Sequence, residues 1–440
     1  MSYELIAIFM FASMMLALMT GQRVFAAIGF VAVAASLLLW GDGGGNLAFS
    51  AVMKAMKWYP LLTLPMFIFM GYILSESKIA NDLYRMLHVW MGSLSGGLAI
   101  GTIVLMVLIS AMNGLSVAGM AIGATIAMPE LLARKYDKRM VTGVIQAGSS
   151  LGILVPPSVV LVLYAMIARQ PIGDLWLAGV GPGLLMAALF IIYVIVRCRF
   201  QPELAPPLPL EERTVSRAEK YRLLLAGLMP LFIFAVMIVP FVQGWTSLVE
   251  SSAIGALAAV AAAAIQGKLT WRVLEVSTRR TLGITCMFMW IIVAALCFGA
   301  VFDGLGAIKT IEGFFVGDLN LGPWQILILM QLSYIVLGTF LDDTAMLVIV
   351  APLYVPLVAA LGFNLIWYGI LYTITCQIAY MTPPFGYNLF LMRAMAPEGV
   401  TLKDIYTSII PFVLIMIVAL LIVTAFPSIA LWLPEQVYGR

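Results

Sequence analysis

Two adjacent carboxylates, Asp342 and Asp343, stand inside an apolar stretch running from about residue 325 to 361. An ionised carboxylate in the interior of a bilayer costs at least about 2.5 kcal/mol without a partner. No Arg or Lys lies near the pair in that stretch, so a bound cation is the partner the sequence points to. A protonated or surface-facing acid is the plainer alternative. Neighbouring helical positions point about 100° apart, so only one of the two acids faces any given site. The matching stretch of the first half, about 97–133, carries no such acid at its middle and offers Ser110, Asn113, Gly114 and Ser116 instead. Neutral oxygens and carbonyls released from a helix can hold Na+, a hard cation that takes oxygen ligands. Proton coupling would want a titratable group in each half, so sodium coupling is the favoured expectation.

Two proline pairs supply a second kind of polar interruption. Pro156-Pro157 lies in GSSLGILVPPSVV, and Pro383-Pro384 in TCQIAYMTPPFGYN. Each proline removes a backbone donor and clashes with the preceding turn, so a pair should break a helix in mid-membrane. The freed amides and carbonyls are tolerable there only where they line a cavity or meet a ligand. A single proline would more simply mean a kink repaired by neighbouring helices. Two matching pairs, with Ser, Thr, Asn and Gly around them, favour a binding site.

The elements that must position these residues are membrane helices. Of 440 residues, 63% are hydrophobic and 10% charged, with mean hydropathy +1.07. A soluble chain carries about 25% charged residues, and a soluble fold of this size could not hide so much apolar surface. Spans of roughly 20 apolar residues fall at about 3–21, 24–40, 58–75, 141–168, 173–197, 223–242, 247–266, 282–302, 366–392 and 406–432. The stretches 97–133 and 325–361 are too long for one span and suit re-entrant helical hairpins. With both hairpins re-entrant, only Lys54, Lys57, Arg169, Lys309 and Arg440 of the 24 basic residues face outward. Such an asymmetry is what the positive-inside rule predicts, and it places both termini outside. The Pro-rich, charged stretch 201–222 reads as a cytoplasmic linker between a first repeat, 1–200, and a second, 223–440.

An offset of 227 residues relates those halves. It superposes Pro129 on Pro356 and Pro156-Pro157 on Pro383-Pro384, and brings the two polar hairpin middles into register. Since the topology runs the copies in opposite directions, the expected fold is an all-α polytopic membrane protein with an inverted repeat, two hairpins and two discontinuous helices.

The chain resembles the large membrane subunit of tripartite ATP-independent periplasmic (TRAP) transporters over essentially its whole length. The most specific runs are PELLARKYDKRMVTGVIQAGSSLGILVPPSVVLVLYA, FLDDTAMLVIVAPLYVPLV and MTPPFGYNLFLMRA. The resemblance implies an elevator-type secondary transporter in a bacterial inner membrane, importing a small organic anion with sodium. It implies two partners, a small membrane subunit and a soluble periplasmic binding protein that captures substrate. It also implies one cation site per half, between hairpin tip and helix break. Carried over by position, the sodium ligands come from Ser110, Asn113, Gly114, Ser149 and Val155, and from Gly338, Asp342, Thr344 and Thr382. Ser150, Ser158, Gly386 and Asn388 would face the substrate. The sequence departs from the family at two places. AMNGLS replaces a commoner Gly-Ser-Ser-like first tip, and Asp343 stands where proline is common.

Other classes fit less well. The four cysteines stand singly, with no CxxC pair, and the lone His88 is flanked by Leu87 and interface-loving Trp90. Neither pattern suits a disulfide framework or a zinc site. No P-loop is present, so ATP hydrolysis by that device is not expected. A formal charge of +3, without a basic patch, does not suggest nucleic acid. The opening MSYELIAIF lacks the positive n-region of a signal peptide and reads as a first span. A stand-alone carrier needing no binding protein is the alternative reading. An intramembrane enzyme using the acid pair, or a structural scaffold, leaves the repeat unexplained.

Overall fold

The computed structural model describes residues 3–20, 22–40, 43–77, 79–92, 94–114, 116–207, 216–306, 321–338, 341, 343–383 and 386–439. These residues form helices and connecting turns, with no strand among them. In the first half α1 (Tyr3–Met19), α2 (Val24–Leu39), α3 (Gly44–Met56) and α4 (Thr63–Glu76) lead to α5 (Ile79–Met91). The first hairpin is α6 (Gly97–Asn113) followed by α7 (Ser116–Ile122), which passes through a π turn at Gly123–Ala127 into α8 (Met128–Ala133). The pieces of the first broken helix are α9 (Lys138–Ser150) and α10 (Val159–Ala168), and α11 (Ile172–Phe200) closes the half.

The second half begins with α12 (Arg217–Val242), α13 (Leu248–Ile265) and α14 (Trp271–Gly304). Its hairpin is α15 (Pro323–Gly338) and α16 (Asp343–Ala360), and its broken helix is α17 (Leu365–Tyr380) and α18 (Tyr387–Met395). The chain ends in α19 (Leu402–Ala425) and α20 (Ser428–Tyr438). Six of the helical stretches, Tyr59–Glu76, Ile172–Phe200, Lys220–Val242, Leu248–Ile265, Trp271–Gly304 and Leu402–Ala425, are long and apolar enough to cross a bilayer. Large apolar side chains such as Phe30, Leu38, Phe200 and Trp271 are left exposed on the outer surface. Water would penalise that surface, whereas lipid accepts it.

The 227-residue offset reappears in the element bounds. Shifted by it, Lys138 and Val159, the first residues of α9 and α10, fall on Leu365 and Gly386, the start of α17 and the N-cap of α18. Even the caps correspond. The Asp137 carboxylate accepts from the amides of Arg139 and Met140 at 3.0 and 3.1 Å. Asn364, 227 positions on, accepts from Ile366 and Trp367 at 2.8 and 3.1 Å. Packing is reciprocal: α2 lies on α14, and their counterparts α13 and α4 lie on each other. A two-fold relation between halves produces this pattern.

Prolines sort as their chemistry requires. Single prolines inside helices, such as Pro182, Pro230 and Pro411, are absorbed. The 156–157 pair ends α9 through a 3-10 turn at Leu151–Ile153. Several sequence expectations need correcting. The apolar run 406–432 is two helices, because Phe426, the residue before Pro427, leaves the helical region (φ −125°, ψ 77°). Two short helices, α3 and α5, were not expected; at 13 residues each they are too short to span. The start of the linker packs on the first hairpin: Ala205 is buried, and its carbonyl accepts from the Gly96 amide at 3.0 Å and the Ser95 hydroxyl at 3.1 Å.

Candidate functional site

The first hairpin tip is seated on the first helix break. Gly114 has φ +66°, a left-handed conformation that suits glycine. A Cβ there would stand 2.6 Å from the Pro157 carbonyl oxygen. The Gly114 carbonyl accepts from the Val159 amide at 3.2 Å, so tip and break share a backbone hydrogen bond. Ser110 and Asn113 lie on the last turn of α6, but their side chains are outside the described residues. The Val155 amide bonds to the Leu151 carbonyl at 2.9 Å, within the turn that opens the break.

The serines around this break are fully buried. Ser149 and Ser150 donate to the carbonyls of Gln146 and Ala147 on their own helix, at 3.0 and 2.7 Å. Each hydroxyl oxygen keeps lone pairs for a ligand. Ser158 caps α10: it accepts from the Leu161 amide at 3.2 Å and donates to the Ile153 carbonyl. That double use commits its hydroxyl largely to the break itself.

The second hairpin packs on the first piece of the second broken helix, α15 against α17. Gly338 is buried against α17, and a Cβ on it would stand 2.5 Å from that of Ala379. Asp342 is outside the described residues. Asp343, which begins α16, accepts from the Thr344 amide at 2.8 Å and the Thr344 hydroxyl at 3.3 Å. Its own carbonyl accepts from the Tyr372 hydroxyl at 2.8 Å. An acid in a first helical turn complements the positive end of the helix dipole, which gives Asp343 a local partner. Thr382 donates to the Ile378 carbonyl at 2.6 Å, and its own carbonyl accepts from the Gly386 amide at 3.3 Å. Gly386 is pressed against Tyr380, whose carbonyl oxygen would meet a Cβ at 2.6 Å. Asn388 is fully buried, and neither its amide nitrogen nor its carbonyl oxygen has a hydrogen-bond partner among the described residues. Buried amides are ordinarily satisfied, which sets Asn388 apart from the hydrogen-bonded polar groups around it.

Between the halves lies a contact that sequence reasoning missed. Gln377 donates through Nε2 to the Ser150 carbonyl at 2.8 Å, and the Tyr380 hydroxyl reaches the same oxygen at 3.3 Å. Ser150 and Gln377 are 227 residues apart, so they are equivalent positions of the repeat. The Gln377 carbonyl oxygen is buried without a hydrogen-bond partner among the described residues, as is that of Gln146. Gln146 is anchored by its nitrogen, to the Thr142 carbonyl at 3.2 Å and the Ser408 hydroxyl at 3.4 Å. The signal for both glutamines was present: each is an uncharged polar residue inside a membrane segment.

A hairpin tip seated on a helix break, with the second hairpin packed on the second broken helix, in a helical membrane protein, fits the core of a secondary transporter. The chain belongs to the family described as the DctM component of tripartite ATP-independent periplasmic transporters, matching it over residues 11–429. It is 28% identical over 408 residues to the C4-dicarboxylate TRAP transporter large permease protein of Pseudomonas aeruginosa, covering 91% of each chain. It is 26% identical to the ectoine TRAP transporter large permease protein of Halomonas elongata, over 91% of this chain and 92% of that one. With the sialic acid TRAP transporter large permease protein of Vibrio cholerae it shares 24% identity, over 96% and 97%. Among solved structures, the YdaH transporter of Alcanivorax borkumensis has a similar fold, with TM-score 0.67 at 14% identity, over 93% of this chain and 98% of that one. The proteins so named are transporters, and this chain is a transporter subunit rather than an enzyme.

Proposed function

We propose that the chain is the transport subunit of a sodium-coupled importer of a small organic anion. In this reading it receives substrate from a periplasmic binding protein, works beside a small membrane subunit, and moves its hairpins and broken helices as an elevator. The observation that carries the reading is the seating of the first hairpin tip on the first helix break, Gly114 against Pro157 and Val159, with the repeat-related α15 packed on α17 through Gly338 and Ala379. A tip and a break together gather carbonyls and helix ends around one point, the arrangement in which discontinuous helices hold ions and charged substrates.

Sodium rather than a proton is favoured because the halves differ in titratable groups. Acids are present at the second tip and neutral oxygens at the first. Asn388, buried with both polar atoms unsatisfied by the described residues, is the strongest candidate for contact with cargo. An anionic cargo is supported by the names of relatives that carry C4-dicarboxylates and sialic acid. The basic residues favour periplasmic termini, by the positive-inside rule.

The test is uptake by the complete transporter in reconstituted vesicles. A sodium gradient should drive accumulation of an anion delivered by the cognate binding protein, and Asp342→Ala should abolish it while leaving assembly intact. Undiminished uptake by Asp342→Ala would remove the second cation site from this reading. Cysteines placed at Lys138 and Arg169 should label from opposite faces; labelling from the same face would overturn the topology.

A further inference from the structure

Two adjoining cavities of about 300 and 340 Å³, neither lined by a hairpin-tip residue, meet at Arg169, Leu296 and Ala300. Each is within the size range of small-molecule sites, roughly 300–1,000 Å³. The crevice they form joins elements of different halves. Lys54 of α3 and Asp303 of α14 stand on one side, and Arg169, just beyond α10, with Ala359 of α16 on the other. Arg169 itself caps α10 in the left-handed region, with φ +54°, a conformation uncommon outside glycine. Among the described residues neither Lys54 nor Arg169 has an ion-pair partner. Lys54 and Arg169 are also two of the five basic residues that the charge pattern assigns to the outer face. A face so poor in cations has gathered two of them in one crevice.

We propose that this crevice is an entrance site for the anion, in which Lys54 and Arg169 hold a carboxylate or sulfonate head before the cargo reaches the hairpin tips. The proposal takes its cargo class from the function proposed above. Its chemistry is specific. Arg169 offers planar, paired N–H donors that match the two oxygens of a carboxylate, and Lys54 adds a second positive charge. The walls between them are apolar, from Leu47, Met166 and Leu296, which suits a short carbon skeleton. Asp303, which lines the second cavity with Arg169, opposes a second anionic group and so favours a cargo with a single charged head or a hydrogen-bond donor at its far end. In the elevator reading α10 and α16 move against α3 and α14, so the site lies on the seam where cargo must enter.

The test is charge-selective cysteine labelling of the full-length chain, with Ser50, which lines the crevice, replaced in a Cys286→Ser background. Methanethiosulfonates bearing a sulfonate or a quaternary ammonium group are compared, each rate divided by that for a free thiol. The sulfonate reagent should be favoured by about tenfold. The preference should fall to near unity in Lys54→Gln/Arg169→Gln, persist in Arg169→Lys, and rise in Asp303→Asn. Millimolar methanesulfonate should slow labelling by a neutral reagent, whereas tetramethylammonium should not. No preference in the parent, or a preference untouched by Lys54→Gln/Arg169→Gln, would overturn the proposal. So would a preference without methanesulfonate protection, since it would mean a local field and no site. Labelling needs no sodium and no uptake, so its outcome is separable from that of the transport reading.

Discussion

The side chain of Gln377 donates to the backbone carbonyl of Ser150, and the two residues are equivalent positions of a repeat with a 227-residue offset. The bond ties the end of α9 to α17 beside both helix breaks. Both residues are fully buried, where a lost partner leaves an acceptor without solvent to replace it.

Gln377→Met keeps the volume and removes the donor. The expected cost is about 1–3 kcal/mol, the penalty for one unsatisfied buried acceptor. The Tyr380 hydroxyl, already 3.3 Å from the same oxygen, offsets part of it. A lowered thermal midpoint in detergent, followed by intrinsic fluorescence, checks this. An unchanged midpoint would show that the tyrosine alone suffices.

Gly114→Ala should damage transport more than folding. Left-handed backbone costs a non-glycine residue about 1–2 kcal/mol, and the new methyl would press on the Pro157 carbonyl at 2.6 Å. In the proposed elevator cycle the hairpin tip seats on the break and leaves it, so a tip that cannot seat should lower uptake by at least about tenfold, taking each 1.4 kcal/mol as a factor of ten. Gly283→Ala serves as a control, since nothing lies within 4 Å of its added methyl; that change should leave uptake intact and stabilise α14 by up to about 1 kcal/mol.

Asn388→Leu separates a ligand-binding role from a structural one. Replacing an unsatisfied buried amide by an apolar group of similar size should leave stability unchanged or raise it. Uptake should nevertheless be lost. Loss of both stability and uptake would instead make Asn388 a structural residue. Melting temperature and vesicle uptake, measured on the same preparation, decide between them.

The caps Asp137 and Asn364 should behave alike. Each serves two amides, so replacing either by Ala should cost about 0.5–2 kcal/mol. Thermal denaturation of the two single variants and the double variant should give nearly additive losses, because the caps share no partner.

Much of this architecture is legible in the residues. Apolar length picks out the spans, and excess length picks out the hairpins. The paired prolines mark both breaks because two missing donors in succession cannot be repaired by a neighbouring turn. What was not legible has physical causes. The helices α3 and α5 fall below the length that a bilayer demands, so a search for spans passes over them. The split at Phe426 turns on one non-helical residue before Pro427, while single prolines elsewhere leave their helices continuous. In the candidate site, the sequence does not announce that the Ser158 hydroxyl caps α10, because that role depends on where the helix restarts after the break. Gln377 carries a local signal, a polar residue inside a membrane segment, but its partner lies 227 residues away, and no local pattern identifies that partner.

The Ser150–Gln377 pair also bears on how such a protein could arise. Two identical subunits related by a two-fold axis must present the same residue from each side, so a serine would face a serine. Once both copies are covalently joined in one chain, the positions are free to diverge, and here one has become a donor side chain and the other keeps the acceptor carbonyl. That divergence makes the halves unequal partners at a fully buried contact. Co-expressed fragments ending and starting within residues 208–215 should therefore pair with each other and not with themselves.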